Sequence, residues 1–240
     1  MEHGTDAGLR HRLLEGFLLR LAREPDADAF VLRGGLRVRQ LARRTARDAD
    51  LVCRLPYDVP DVRARLERTL SRDAGDGAWF DAATLHLAPV WVGHPALRLH
   101  AAGAADGAPG PIAVDLVFGM PLWPPPEPAT LRAERGAATL WMSRPEALIG
   151  RKLQVIASRG RLRWRPKDLA DIDALLPHAD PRALGPAVEA AFDGAERVSE
   201  VRHAFVRPSW WAPGRARWRA ATPLDAVVAR VGRALAPVLS

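Results

Sequence analysis

The chain has 240 residues, 48% apolar and 26% charged, a globular balance that excludes wholesale disorder. No apolar run reaches the roughly 18 residues of a membrane span, Met1-Glu2-His3-Gly4 lacks a secretory signal's basic flank and apolar core, and the single cysteine, Cys53, excludes internal disulfides and cysteine-built zinc sites, so a reducing, cytoplasmic setting is expected. Residues 1–125 balance 16 Arg against 16 acids while residues 126–240 carry 19 Lys+Arg against 12 acids, so the whole excess of +7 lies in the second half.

Apolar residues recur at Leu9, Leu13, Leu14, Phe17, Leu18 and Leu21, which predicts a helix over 9–23 that Pro25 ends. Residues 29–32 read as a short strand, broken by Gly34-Gly35, with a helix following from Leu36 to about Arg44. Residues 50–55 alternate as a strand does, and 59–71 have helical spacing. Strands are expected over 85–91, 97–101 and 112–118, with 103–111 a loop by composition. The proline-rich stretch 121–128 cannot be helix or central strand and reads as a connection. A strand over 137–142 follows; Ser143-Arg144-Pro145-Glu146 has capping-box spacing and opens a helix through about Ile156. Further helices are expected over 167–176, 181–192 and 223–239. The pattern predicts a two-lobed α/β (α+β) protein: a mixed-sheet front lobe over 1–125 and a mainly helical, basic back lobe over 126–240.

Three features of the front half belong together. Gly34-Gly35 lies between a strand and a helix, where backbone N–H groups can face an anion unobstructed. Asp48-Ala49-Asp50 heads the next strand, and residues two apart on a strand share a face. Paired carboxylates repel unless a cation lies between them, and hard oxygen ligands suit Mg²⁺. Asp115 is the one charge within residues 112–118; an acid there needs a partner, and a metal shared with Asp48 and Asp50 would provide it. Strand, Gly-Gly, helix, D-x-D strand and a third Asp on a later strand is the order found in polymerase β-like nucleotidyltransferases.

Downstream the chain reads Pro145-Glu146-Ala147-Leu148-Ile149-Gly150-Arg151-Lys152-Leu153, then Arg165-Pro166-Lys167-Asp168-Leu169-Ala170-Asp171-Ile172. Together with Gly34-Gly35 and Asp48/Asp50, this resembles the AbiEii/AbiGii toxin family of nucleotidyltransferases, MenT-like toxins among them, over about residues 28–176. The resemblance implies that Gly34 and Gly35 hold nucleotide phosphates, Asp48 and Asp50 bind Mg²⁺, and Lys152 contacts the triphosphate. It further implies that Asp168 completes the site, with Asp115 as the third carboxylate and either Asp115 or Asp168 as base. The family usually places Ser or Thr after Gly-Gly, whereas this chain has Leu36, leaving only backbone donors there.

Two stretches could grip a polyanion. Residues 151–167 contain seven basic groups, Arg161 and Arg163 among them, and no acid; residues 202–219 contain Arg215, Arg217 and Arg219 with Trp210 and Trp211 interleaved, again without an acid. Arginines neutralise phosphates and exposed aromatics stack on unpaired bases. Alternatively the tryptophans are core and the arginines surround them. The expectation is a Mg²⁺-dependent nucleotidyltransferase moving nucleotides from a nucleoside triphosphate to RNA, a tRNA acceptor end first, with no membrane; that it is a toxin with a cognate antitoxin as partner is what the family resemblance implies. Transfer to a small molecule or protein side chain, or a non-catalytic RNA-binding module, are the alternatives.

Overall fold

The computed structural model describes residues 3–42, 48–91, 93–192 and 198–239. The chain forms two compact units, one of residues 1–120 with 127–142 and the other of 121–126 with 143–240.

The first unit runs α1 (His3–Leu21), β1 (Phe30–Arg33), α2 (Gly34–Ala42), β2 (Ala49–Cys53), α3 (Val59–Ser71), β3 (Ala78–Trp91), β4 (Pro95–Ala105), β5 (Ala108–Phe118), β6 (Glu127–Ala133) and β7 (Gly136–Met142). The strands form one seven-stranded mixed sheet in the order β3-β4-β5-β2-β1-β7-β6. β1 runs parallel to β7 and β2 parallel to β5; the other neighbours are antiparallel. Alternate residues of β4 and β5, namely Leu97, Leu99, Ile112, Val114 and Leu116, are buried with Leu13, Leu14, Phe17 and Leu18 of α1 and Val62 and Leu66 of α3. Helix α3 begins where the Asp58 side chain accepts the Asp61 N–H, with Pro60 in its first turn. The buried Arg20 ties α1 to the chain entering β3: it donates to Gly16 O, Arg72 O, Ala78 O and both oxygens of Asp76.

Two expectations for this unit are corrected. Residues 103–111 are not a loop: β4 and β5 stay paired to Ala105↔Ala108, and only Asp106 and Gly107 turn, both at positive φ as a tight hairpin requires. The stretch from Glu127 does not stay a connection, because β6 pairs with β7 along its whole length. Pro128 is tolerated because β6 is an edge strand. The boundary expected at 125/126 therefore shifts, since the β6–β7 hairpin joins the first unit's sheet through β1.

The second unit is helical: α4 (Pro145–Arg163), α5 (Pro166–Leu175), α6 (Pro181–Phe192), α7 (Val198–Val206), a 3₁₀ stretch Pro208–Arg217, and α8 (Leu224–Leu239). The capping box is not formed; the residue flanking α4 is Arg144, without a side-chain cap, and Glu146 instead accepts the Asp180 N–H. Gly150 lets α4 approach α6, since a Cβ there would lie 2.6 Å from Ala187 O. Among the described residues no helix is long and apolar enough to cross a membrane.

Candidate active site

The chemistry expected of the front half gathers on one row of the sheet. Register pairs Arg33 with Asp50, Asp50 with Asp115, and Asp115 with Arg98, so β1, β2, β5 and β4 each place one charged residue on the same face. The order across the strands is positive, negative, negative, positive. Arg98 holds Asp115 bidentately, Nε to Oδ1 at 2.7 Å and Nη2 to Oδ2 at 2.8 Å. Arg33 reaches Asp50 more loosely, at 4.0 Å.

Asp50 carries the electrostatic load of this row. Burial pushes its carboxyl above the usual range and the nearby Asp48 and Asp115 push the same way, while Arg33 and the Gly35 N–H oppose them. Gly34 stands where β1 passes into α2, at φ +69°, and a Cβ there would overlap the Asp50 carboxylate. The Gly-Gly step is thus shaped around Asp50. The Gly35 N–H favours the charged form of that carboxylate. Leu36 is fully buried, so the position after Gly-Gly serves the core.

The donor set suits a hard divalent cation. Asp48 is exposed in the bend before β2, and its charge with that of Asp115 raises the proton affinity of Asp50, a repulsion that a cation offsets. Asp48 and Asp50 are the residues that would hold it. Asp115, expected to share this metal, has both oxygens engaged by Arg98, a partner for its place in an apolar strand. Among the described residues no three metal-ligating side chains already converge.

In the second unit, Lys152 of α4 meets two buried acids of α5. Its Nζ lies 2.6 Å from Asp171 Oδ2 and 3.7 Å from Asp168 Oδ1. Asp168 is also held by Arg165, at 2.7 and 3.2 Å. Two residues were missed by sequence reasoning. Arg98 is visible only once strand register is known. Asp171 had a local signal, since a carboxylate three residues after Asp168 shares its helix face.

The two basic stretches differ in what they leave open. Arg161 and Arg163 are exposed at the end of α4, Arg161 touching Ser209 O at 3.4 Å. Arg215 forms a two-point ion pair with Asp225, which lies just beyond the acid-free window; Arg217 donates to Trp164 O, and Arg219 to Ala216 O and Trp218 O. Trp211 is corrected outright. It is fully buried, donates its Nε1–H to Ala204 O, and packs edge-on against Trp164 at 4.9 Å, so it offers no face to a base. Trp210 is half-buried against both.

Known proteins resemble the chain in family and in fold. A family model described as nucleotidyl transferase AbiEii toxin, type IV TA system, matches residues 16–225. The fold is similar to that of JHP933 from Helicobacter pylori, at 13% identity and a TM-score of 0.60 over all of this chain and 93% of that one. It is similar also to a further solved H. pylori structure, described as a nucleotidyltransferase, at 14% identity and a TM-score of 0.61 over all of this chain and 96% of that one. No curated protein sequence matches the chain significantly.

Proposed function

Because the chain belongs to the AbiEii family of nucleotidyltransferase toxins from type IV toxin–antitoxin systems, we propose that it transfers nucleotides from a nucleoside triphosphate to RNA, a tRNA acceptor end being the favoured target, with Mg²⁺ as the divalent cation. The observation that carries this reading is the fit of Gly34 against Asp50, because a backbone that yields space to one carboxylate has been shaped for that carboxylate's chemistry. Bound between Asp48 and Asp50, a divalent cation would neutralise phosphate charge and favour attack by an acceptor oxygen. Arg33 and the Gly35 N–H orient Asp50. Arg98 fixes Asp115 beside it and adds a positive charge in the field of all three acids. Lys152 is the compact cation proposed to meet phosphate, for which it must leave Asp171. The RNA acceptor is supported by the basic balance of residues 126–240 and by exposed Arg161 and Arg163. An antitoxin partner and a cytoplasmic setting complete the proposal.

Incubation with each labelled triphosphate, with and without total RNA, tests it. Label on RNA is the expected result. Label on the protein alone, or none with any triphosphate, overturns the RNA reading.

A further inference from the structure

The charged row does not end the story of its sheet face. Arg98 is followed on β4 by His100 and Ala102, all exposed, whereas Leu97, Leu99 and Ala101 between them are buried in the core. Register places His86 of β3 beside His100 and Ala113 of β5 on its other side. Further along, Trp79 of β3 lies opposite Ala104 and is 57% exposed. Between Trp79 and His86 the β3 strand bulges, from Asp81 to His86, where the Thr84 hydroxyl accepts the Ala102 N–H. The outer face of the β3–β4–β5 meander therefore carries Arg98, the His86–His100 pair and Trp79 above a floor of Ala102, Ala104 and Ala113.

We propose that this open sheet face is the track on which the single-stranded 3′ end of an RNA acceptor lies as it approaches the Asp50–Asp115 row. This rests on the transfer reading above and names the surface that would serve it. Three features favour RNA over another occupant. The face is continuous with the candidate reacting centre, starting at the Arg98–Asp115 pair. Its rings stand above small residues, as sheets that stack about two or three bases require. Its imidazole N–H groups can donate to phosphodiester oxygens, while Arg98 balances Asp115 so that the face presents no uncompensated acid to the chain. Strand geometry sets the stride: alternate residues lie about 7 Å apart, and from Arg98 to Ala104 the track runs about 20 Å, a length that a few extended nucleotides fill.

The test uses the full chain and a labelled single-stranded RNA hexanucleotide, with affinity read by fluorescence anisotropy. Trp79→Ala should weaken binding about tenfold, while Trp79→Phe, which keeps a stacking ring, should stay within about threefold of the parent. His86→Ala with His100→Ala should weaken it again. Circular dichroism confirms the fold of each. Parent-level affinity in folded Trp79→Ala and in the double histidine variant overturns the track, and so does a parent chain that binds no hexanucleotide. Nucleotide transfer is scored separately. Undiminished transfer to RNA in these variants overturns the track and leaves the transfer reading standing; loss of affinity in a chain that transfers nothing to RNA does the reverse.

Discussion

Adding one methyl group at Gly34 would drive a carbon into the Asp50 carboxylate, on a backbone whose φ of +69° already disfavours any side chain. Gly34→Ala should lower transfer by about a hundredfold, as misplacing a reacting group by about 1 Å does, and cost about 1–2 kcal/mol in backbone strain, measured by urea denaturation. Asp50→Asn separates the two effects. It removes a charge that burial, Asp48 and Asp115 all disfavour, so transfer should vanish while the melting temperature of the metal-free protein holds or rises. A variant still transferring at the parent rate would remove Asp50 from the site. Lys152 makes the contrasting case, because it compensates acids instead of adding one. Lys152→Met leaves Asp171 without its 2.6 Å ammonium partner and should cost roughly 1–3 kcal/mol in a denaturant titration, Arg165 still covering Asp168. Lys152→Arg should retain most of that stability and lose most of the transfer, since a planar fork replaces a compact charge.

Among the elements, α1 shows how a helix is fastened to strands far along the chain. Its Glu15 lies 2.6 Å from His11 Nε2 and accepts the Glu134 N–H of the β6–β7 turn at 3.0 Å. Burial raises the proton affinity of Glu15, but the His11 and Glu134 contacts outweigh it, and the carboxyl ends below its ordinary value. A depressed acid stabilises the fold above its unfolded value, about pH 4.3, and that gain disappears as the pH falls through the lower folded value. Glu15→Gln should therefore cost about 1 kcal/mol at pH 7, and thermal melts should show the gap to the parent closing below about pH 4.3. Most elements were legible because local periodicity and breakers mark them, α6 to the residue and β1–α2 through Gly34-Gly35. The exceptions needed information from elsewhere. β6 contains a proline that only its edge position excuses, and the full β4–β5 hairpin shows itself once Asp106-Gly107 is recognised as the entire turn. In the site, Gly34-Gly35 and Asp48/Asp50 were readable as motifs, but the approach of Gly34 to the Asp50 carboxylate was not. Arg98 against Asp115 and the burial of Trp211 were not, because both arise from contacts between residues distant in sequence or packed by tertiary structure.

For the whole molecule, the charge balance has to be judged by which arginines are free to meet phosphate. Arg215 is held at two points by Asp225, whereas Arg161 and Arg163 are exposed at the end of α4. Affinity for single-stranded RNA should fall with salt, with a log–log slope of about −0.7 for each phosphate contact. Replacing Arg161 and Arg163 by Ala should flatten the slope by about 0.7 for each, and Arg215→Ala should change it less; equal effects at all three would show that the Asp225 pair opens on binding. The strand order carries one more consequence, in the time domain of synthesis. β1 ends at Arg33, yet its parallel neighbour β7 reaches only to Met142, so a ribosome must add more than a hundred residues before that side of the central strand is paired. At about 5–20 residues per second this leaves β1 waiting roughly 5–20 s. Through that interval β1 can pair with β2 on one side, but its other edge, along Phe30-Val31-Leu32, stays open. A newly made chain of this topology thus keeps one edge of an interior strand open until more than half of it has been translated.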